Sequence, residues 1–237
     1  MKQLLIVFLF LPLLVFSQSD FEKAQQFFQA GKWKESQEIF EKIVKTEPSN
    51  INVLEKLGDI AGHLKNWDAA LMYYGKLKKI KPSEADFYFK YGGVLGMKAL
   101  EVNKFRAFGM IDEIKSSFEK AIQLDPKHIE ARWALIELYL KLPGIAGGSE
   151  SKALKYSNEL MQLSPVDGYL SRGHIEEYFN RYKNAEQQYK KAINVGNSKK
   201  AYLKLANLYK NKMNQQEKAS AILETLKNSN SIPKKNI

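Results

Sequence analysis

"LEKLGDIAGHLKNWDAALMYYGKLKKIKP", Leu54 to Pro82, reads as two helices folded back on one another. Leu54, Leu57 and Ala61 recur at intervals of three and four, so one face of the first helix is apolar. Gly58 and Ala70 are small, which lets the two helices approach closely where they cross. "KNW", Lys65 to Trp67, makes the turn, and Trp67 covers its end. Tyr74 and Leu77 point from the second helix into the same seam. Pro82 cannot continue a helix and ends it. One such pair cannot bury both faces of its apolar surface, so pairs must stack.

The pattern recurs on both sides. "IVKTEP" ends at Pro48, "LKKIKP" at Pro82, "AIQLDP" at Pro126 and "LMQLSP" at Pro165, at intervals of 34, 44 and 39 residues. A period of 34 with insertions of ten and five residues fits all three. Twelve residues before each proline stand Ser36, Ala70, Ile114 and Ala153; eight before stand Phe40, Tyr74, Phe118 and Ser157. Two later units lack the proline but keep the rest: Gly173, Tyr182, Ala185, Tyr189 and Ala192, then Ala206, Tyr209, Ala219, Leu223 and Leu226.

A register held this long resembles the tetratricopeptide repeat family, as six units over about 18–50, 51–84, 85–128, 129–165, 166–198 and 199–228. The resemblance implies an all-α fold, a right-handed α-solenoid of about six helix pairs, with a concave groove lined by the first helix of each pair. It also implies protein or peptide binding with no catalytic machinery and no cofactor. The fourth unit departs most, with Ile136 where the family prefers a small residue and Ser157 where it prefers an aromatic. Residues 229–237 read as a disordered tail.

Both insertions fall in the turn of a pair. "LPGIAGGSES", Leu142 to Ser151, could cradle a phosphate or simply connect. A phosphate loop needs a preceding strand and a Lys directly after the last Gly; here Gly148 is followed by Ser149 and the flank is helical. The connector is the reading adopted, with Ser149 or Ser151 capping the next helix. The ten-residue insertion between Gly92 and Ile114 should lengthen both of its helices. Its Phe105 and Phe108 are expected to pack near Ile145 as a side wall, which either covers a seam or holds a small apolar ligand.

Lys2 followed by "LLIVFLFLPLLVF", Leu4 to Phe16, and then "SQSD" reads as a signal peptide spanning residues 1–17. The rival is a membrane anchor, but thirteen helical residues cover about 20 Å against a bilayer core of roughly 30 Å. The expected location is therefore outside the cytoplasm, the periplasm first, with no stable membrane span in the mature chain. There is no Cys, which excludes disulfides, thiol catalysis and lipidation after the signal.

The formal charge is +11 and its distribution is uneven. Ser19 to Tyr182 carries 24 basic and 23 acidic residues, whereas Lys183 to Ile237 carries 12 lysines against Glu186, Glu217 and Glu224. That end is either a solvated surface or a docking face for an anionic envelope partner; nucleic acid is not expected outside the cytoplasm.

His63, His128 and His174 fall in different units, so no local zinc pattern exists. Nor is there a local Ser-His-Asp arrangement, and no enzyme activity is expected. Helix phase places Lys56, Asp59 and His63, Phe89 and Met97, Trp133 and Glu137, His174 and Tyr178, and Lys204 and Asn207 on the groove. Phe89, Trp133 and Tyr178 suit hot spots for a bound peptide, or else pack against a neighbouring helix. Three functions follow: a scaffold gripping a protein segment, an envelope protein docked through its lysine-rich end, or a carrier of a small apolar ligand at the side wall.

Overall fold

A computed structural model describes residues 20–231, with side chains to residue 229. The expected signal peptide and the last six residues of the expected tail lie outside them. Helix α1 covers residues 20–29. It is followed by α2 (Trp33–Thr46), α3 (Ile51–His63), α4 (Trp67–Ile80), α5 (Ala85–Glu101), α6 (Lys104–Leu124), α7 (Ile129–Lys141), α8 (Glu150–Leu163), α9 (Pro165–Tyr178), α10 (Tyr182–Gly196), α11 (Lys199–Asn211) and α12 (Gln216–Ser231). Among the described residues there is no strand, and no helix is long and apolar enough to cross a membrane. The chain forms two compact units, divided between Leu124 and Asp125. Each holds three helix pairs, unit 1 from α1 to α6 and unit 2 from α7 to α12.

In several pairs a small residue on one helix meets a large one on the next. In unit 1 a Cβ on Gly58 would lie 2.9 Å from the Tyr74 ring, and one on Gly92 would lie 3.0 Å from Phe118. Ala24 and Phe40 are both fully buried, and Ser36 Oγ donates to the Ala24 carbonyl at 2.8 Å. The fourth pair, in unit 2, keeps the logic with the sizes exchanged. Ile136 on α7 and Ser157 on α8 are both fully buried. The Ser157 hydroxyl is satisfied by Ser171 Oγ at 2.8 Å, so it buries no unpaired polar group.

Local chemistry sets the helix ends. Asn50, Asn66, Ser149 and Ser164 each accept from an amide in the first turn of the helix that follows. Pro165 is the first residue of α9 rather than the last of the preceding unit; its missing amide hydrogen costs nothing there. α12 runs to Ser231, so residues 229–231 are helix and not tail.

"LPGIAGGSES" forms a connector built on its own amides. Ala146, Gly147 and Gly148 donate to Pro143, Gly144 and Pro143 carbonyls, and Ser149 donates to Tyr139. Those amides are therefore turned inward, away from any phosphate. Gly147 has φ +91°, and a Cβ on Gly148 would lie 1.9 Å from the Leu142 carbonyl oxygen.

The ten-residue insertion is taken up as helix. α5 has 17 residues and α6 has 21, against 13 and 14 in α3 and α4. Buried residues on α6 begin only at Ile114. The extension carries Phe105 and Phe108 beyond the seam, where they are 92% and 59% exposed. Ile145 is 94% exposed. The packing expected of these three side chains is corrected: neither Phe105 nor Ile145 is covered.

Candidate functional site

In unit 2 the first helices α7, α9 and α11 touch in sequence, α7 with α9 and α9 with α11. Together they make one face. Trp133, on α7, donates its indole Nε1–H to Asp167 Oδ1 in the first turn of α9 at 3.0 Å. Its ring packs against the core built on Leu170, Tyr189 and Leu205, and the Lys200 ammonium lies 4.7 Å from its centroid. A cation over an indole face is attracted by the ring quadrupole. One turn further on, Glu137 pairs with His174 Nε2 at 2.7 Å and Lys141 Nζ at 3.2 Å. The His174 imidazole, 2.7 Å away, is the main reason its carboxyl pKa falls from 4.5 to about 2, against the opposing effect of burial.

Beyond this polar cluster lies an open depression of about 590 Å³ lined by Glu177, Lys199, Lys200, Leu203, Lys204 and Asn207. Leu203 is 45% exposed. Glu177 accepts from the Tyr189 hydroxyl at 2.7 Å. Burial first, and this hydrogen bond second, push the phenol pKa far above 10. Tyr178 is half-exposed and meets Phe179 edge to face at 5.2 Å.

The first-helix residues of unit 1 are more fully engaged. Lys56 lies over the Phe28 ring at 4.4 Å, and His63 stacks on Trp33 at 4.0 Å. Asp59 accepts from Tyr74 and from Lys90, while Lys90 also reaches Glu55 at 2.6 Å. Burial would lower the Lys90 pKa, but its bonds to Glu55 and Asp59 outweigh burial and raise it. Phe89 lies 5.9 Å from the Phe118 ring. Met97 is half-exposed.

The residues chosen from helix phase thus divide. Lys56, Asp59, His63, Phe89, Trp133, Glu137 and His174 join helices to one another. Met97, Tyr178 and Asn207 are exposed, and Lys204 lines the depression. Glu55, Lys90, Asp167, Lys200 and Leu203 were missed. Repeat spacing could have found several of them. Asp167 follows Trp133 by 34 residues and Lys90 follows Glu55 by 35, about one period, so equivalent turns of successive first helices meet. Among the described residues no group of three or more His, Cys, Asp or Glu is placed to hold a metal ion.

The tetratricopeptide repeat family matches at residues 166–195, which cover α9 and most of α10, and at 200–231, which cover α11 and α12. Solved structures share the fold. PilW, a type IV pilus biogenesis factor, has a TM-score of 0.62 at 16% identity, over 92% of this chain and 95% of that one. TTC0263 of Thermus thermophilus, a thermophilic protein of these repeats, has a TM-score of 0.60 at 15% identity, over 88% and 99%. YrrB, a protein of these repeats with an unusual peptide-binding site, has a TM-score of 0.51 at 15% identity, over 77% and 87%. No curated protein matches the sequence significantly. Two repeats of unit 2 are thus tetratricopeptide repeats by sequence, and the described residues share the all-α fold of tetratricopeptide repeat proteins.

Proposed function

We propose that the chain is a non-catalytic scaffold of the cell envelope that holds a protein segment on the α7–α9–α11 face. The observation that carries this is the depression on α11. An exposed leucine, Leu203, stands there among Lys199, Lys200 and Lys204, beside the Asn207 amide. An apolar spot ringed by ammonium groups fits an acidic segment presenting one apolar side chain. Asn207 can both donate to and accept from a peptide backbone. The excess of lysine after Tyr182 favours the same class of partner. Envelope location is supported by the run "LLIVFLFLPLLVF" and by likeness of fold to a pilus biogenesis factor. Binding in this mode is expected near micromolar Kd, about −8 kcal/mol.

A displayed library of random peptides, selected against the chain, tests the reading. Enriched peptides should be acidic with a shared apolar position. Leu203→Asp together with Lys204→Glu should abolish their binding while helicity is kept. Peptides that bind this variant undiminished would remove the depression as the site. Binding that survives the substitutions but vanishes at high salt would favour diffuse docking through the lysine-rich end.

A further inference from the structure

Unit 1 carries a second exposed surface, which takes in Met97 at the end of the first helix α5. Where α5 turns into α6, only Val102 and Asn103 lie between the helices. Around that turn four large apolar side chains are exposed: Met97 (46%), Leu100 (73%), Phe105 (92%) and Phe108 (59%). Met97 and Leu100 are three apart on α5, and Phe105 and Phe108 three apart on α6, so each helix presents its pair on one face. Clustered exposed side chains of this size mark an interaction surface rather than ordinary scatter.

The charges around the tip are unbalanced. Its carboxylates are engaged within the unit: Glu101 accepts from Trp67 Nε1 at 2.7 Å, Asp68 pairs with Lys98, Asp112 with Lys115 at 3.2 Å, and Glu113 accepts from Tyr91 at 2.8 Å. Lys104 and Arg106 flank Phe105 in sequence, and both are exposed. Neither has an ion-pair partner among the described residues. Asn103 caps α6 by accepting from the Arg106 amide at 3.0 Å, which fixes the turn from which these side chains project.

We propose that the α5–α6 tip docks on an anionic phospholipid surface. Phe105, Phe108 and Leu100 enter the headgroup–acyl boundary while Lys104 and Arg106 stay at the phosphates. Aromatic and aliphatic side chains favour that boundary, and long basic side chains reach back from it to the charged layer. The end of a hairpin with a two-residue turn offers no groove to a peptide, whereas a planar surface accepts a convex tip. This is independent of peptide binding on unit 2.

The absence of Cys makes the test local. Phe105→Cys, Phe108→Cys and Ile80→Cys, each made singly in the full chain, carry an environment-sensitive NBD dye. Ile80 closes α4 at the end opposite Trp67, whose indole meets Glu101 beside the tip. Vesicles of phosphatidylglycerol and phosphatidylcholine in equal parts should shift the dye to the blue at 105 and 108 and leave it unchanged at 80. Pure phosphatidylcholine should do neither. Adding Lys104→Gln and Arg106→Gln to the chain labelled at 108 should raise the lipid needed for half response roughly thirtyfold, from the usual worth of two basic residues at such a surface. An unchanged dye at 105 and 108, an equal response at 80, or an equal response to pure phosphatidylcholine would each overturn the proposal. Circular dichroism of each variant establishes that the helices are retained.

Discussion

Gly173 on α9 lies against the ring of Tyr189 on α10, so close that a Cβ on it would come within 2.5 Å of the ring. Tyr189 has nowhere to go. Its side chain is fully buried and its hydroxyl is tied to Glu177. Gly173→Ala is therefore expected to destabilise the chain by about 1–3 kcal/mol, although alanine favours a helix over glycine by about 1 kcal/mol. Gly96→Ala on α5, where nothing stands within 4 Å of the new methyl, should instead stabilise by about 0.5–1 kcal/mol. Urea unfolding of both variants decides it. Stabilisation by both would mean that the close approach at Gly173 is soft.

The connector before α8 makes a similar contrast at shorter range. An alanine at 148 would drive its methyl into the Leu142 carbonyl, which is backbone and cannot swing aside. Gly148→Ala should cost about 3 kcal/mol, at the upper end for overpacking. Gly144→Ala, in open space at negative φ, should fall within about 0.5 kcal/mol of the parent. Equal losses at both positions, read from thermal unfolding, would mean that the turn is not fixed as described.

Periodicity carried most of the architecture and little of the site. Leu54, Leu57, Ala61, Ala70, Tyr74 and Leu77 bury as their spacing requires, because a helix pair offers no other way to hide them. Phe105 was harder to place. Hydropathy says that an aromatic should be covered, but not that the extra turns carry it past the seam. Trp133 failed differently. Its phase on α7 was legible, but its binding partner is Asp167, one repeat away, and only the stacking of pairs brings them together. A groove defined by one helix's phase cannot tell a side chain that waits for a ligand from one that bridges to the next repeat.

Trp133 consequently belongs to the fold before it belongs to any ligand. Trp133→Ala should destabilise the chain by about 3 kcal/mol. Trp133→Phe keeps a ring beneath Lys200 but loses the bond to Asp167, and should cost about 1 kcal/mol. Denaturant midpoints measure both. A Trp133→Ala chain as stable as the parent would return the residue to the list of free binding aromatics.

The Glu137–His174 pair gives the chain an acid-side signature. The Glu137 carboxyl titrates at about 2 in the folded state against an ordinary 4.5, chiefly through His174. A depressed carboxylate stabilises the fold above its unfolded value and loses that contribution as pH falls through the folded one. The window is therefore from about 4.5 down to about 2. The Glu137 side chain is 38% exposed, so solvent screening holds the effect to about 1 kcal/mol at most. Glu137→Gln should remove this dependence, so the stability gap between parent and variant should close as pH drops through the window. Carboxyl chemical shifts followed against pH give the direct measurement. His174→Gln should move the Glu137 midpoint upward toward 4.5, and an unmoved midpoint would show that the neighbouring ammonium of Lys141, rather than the imidazole, holds the carboxylate charged.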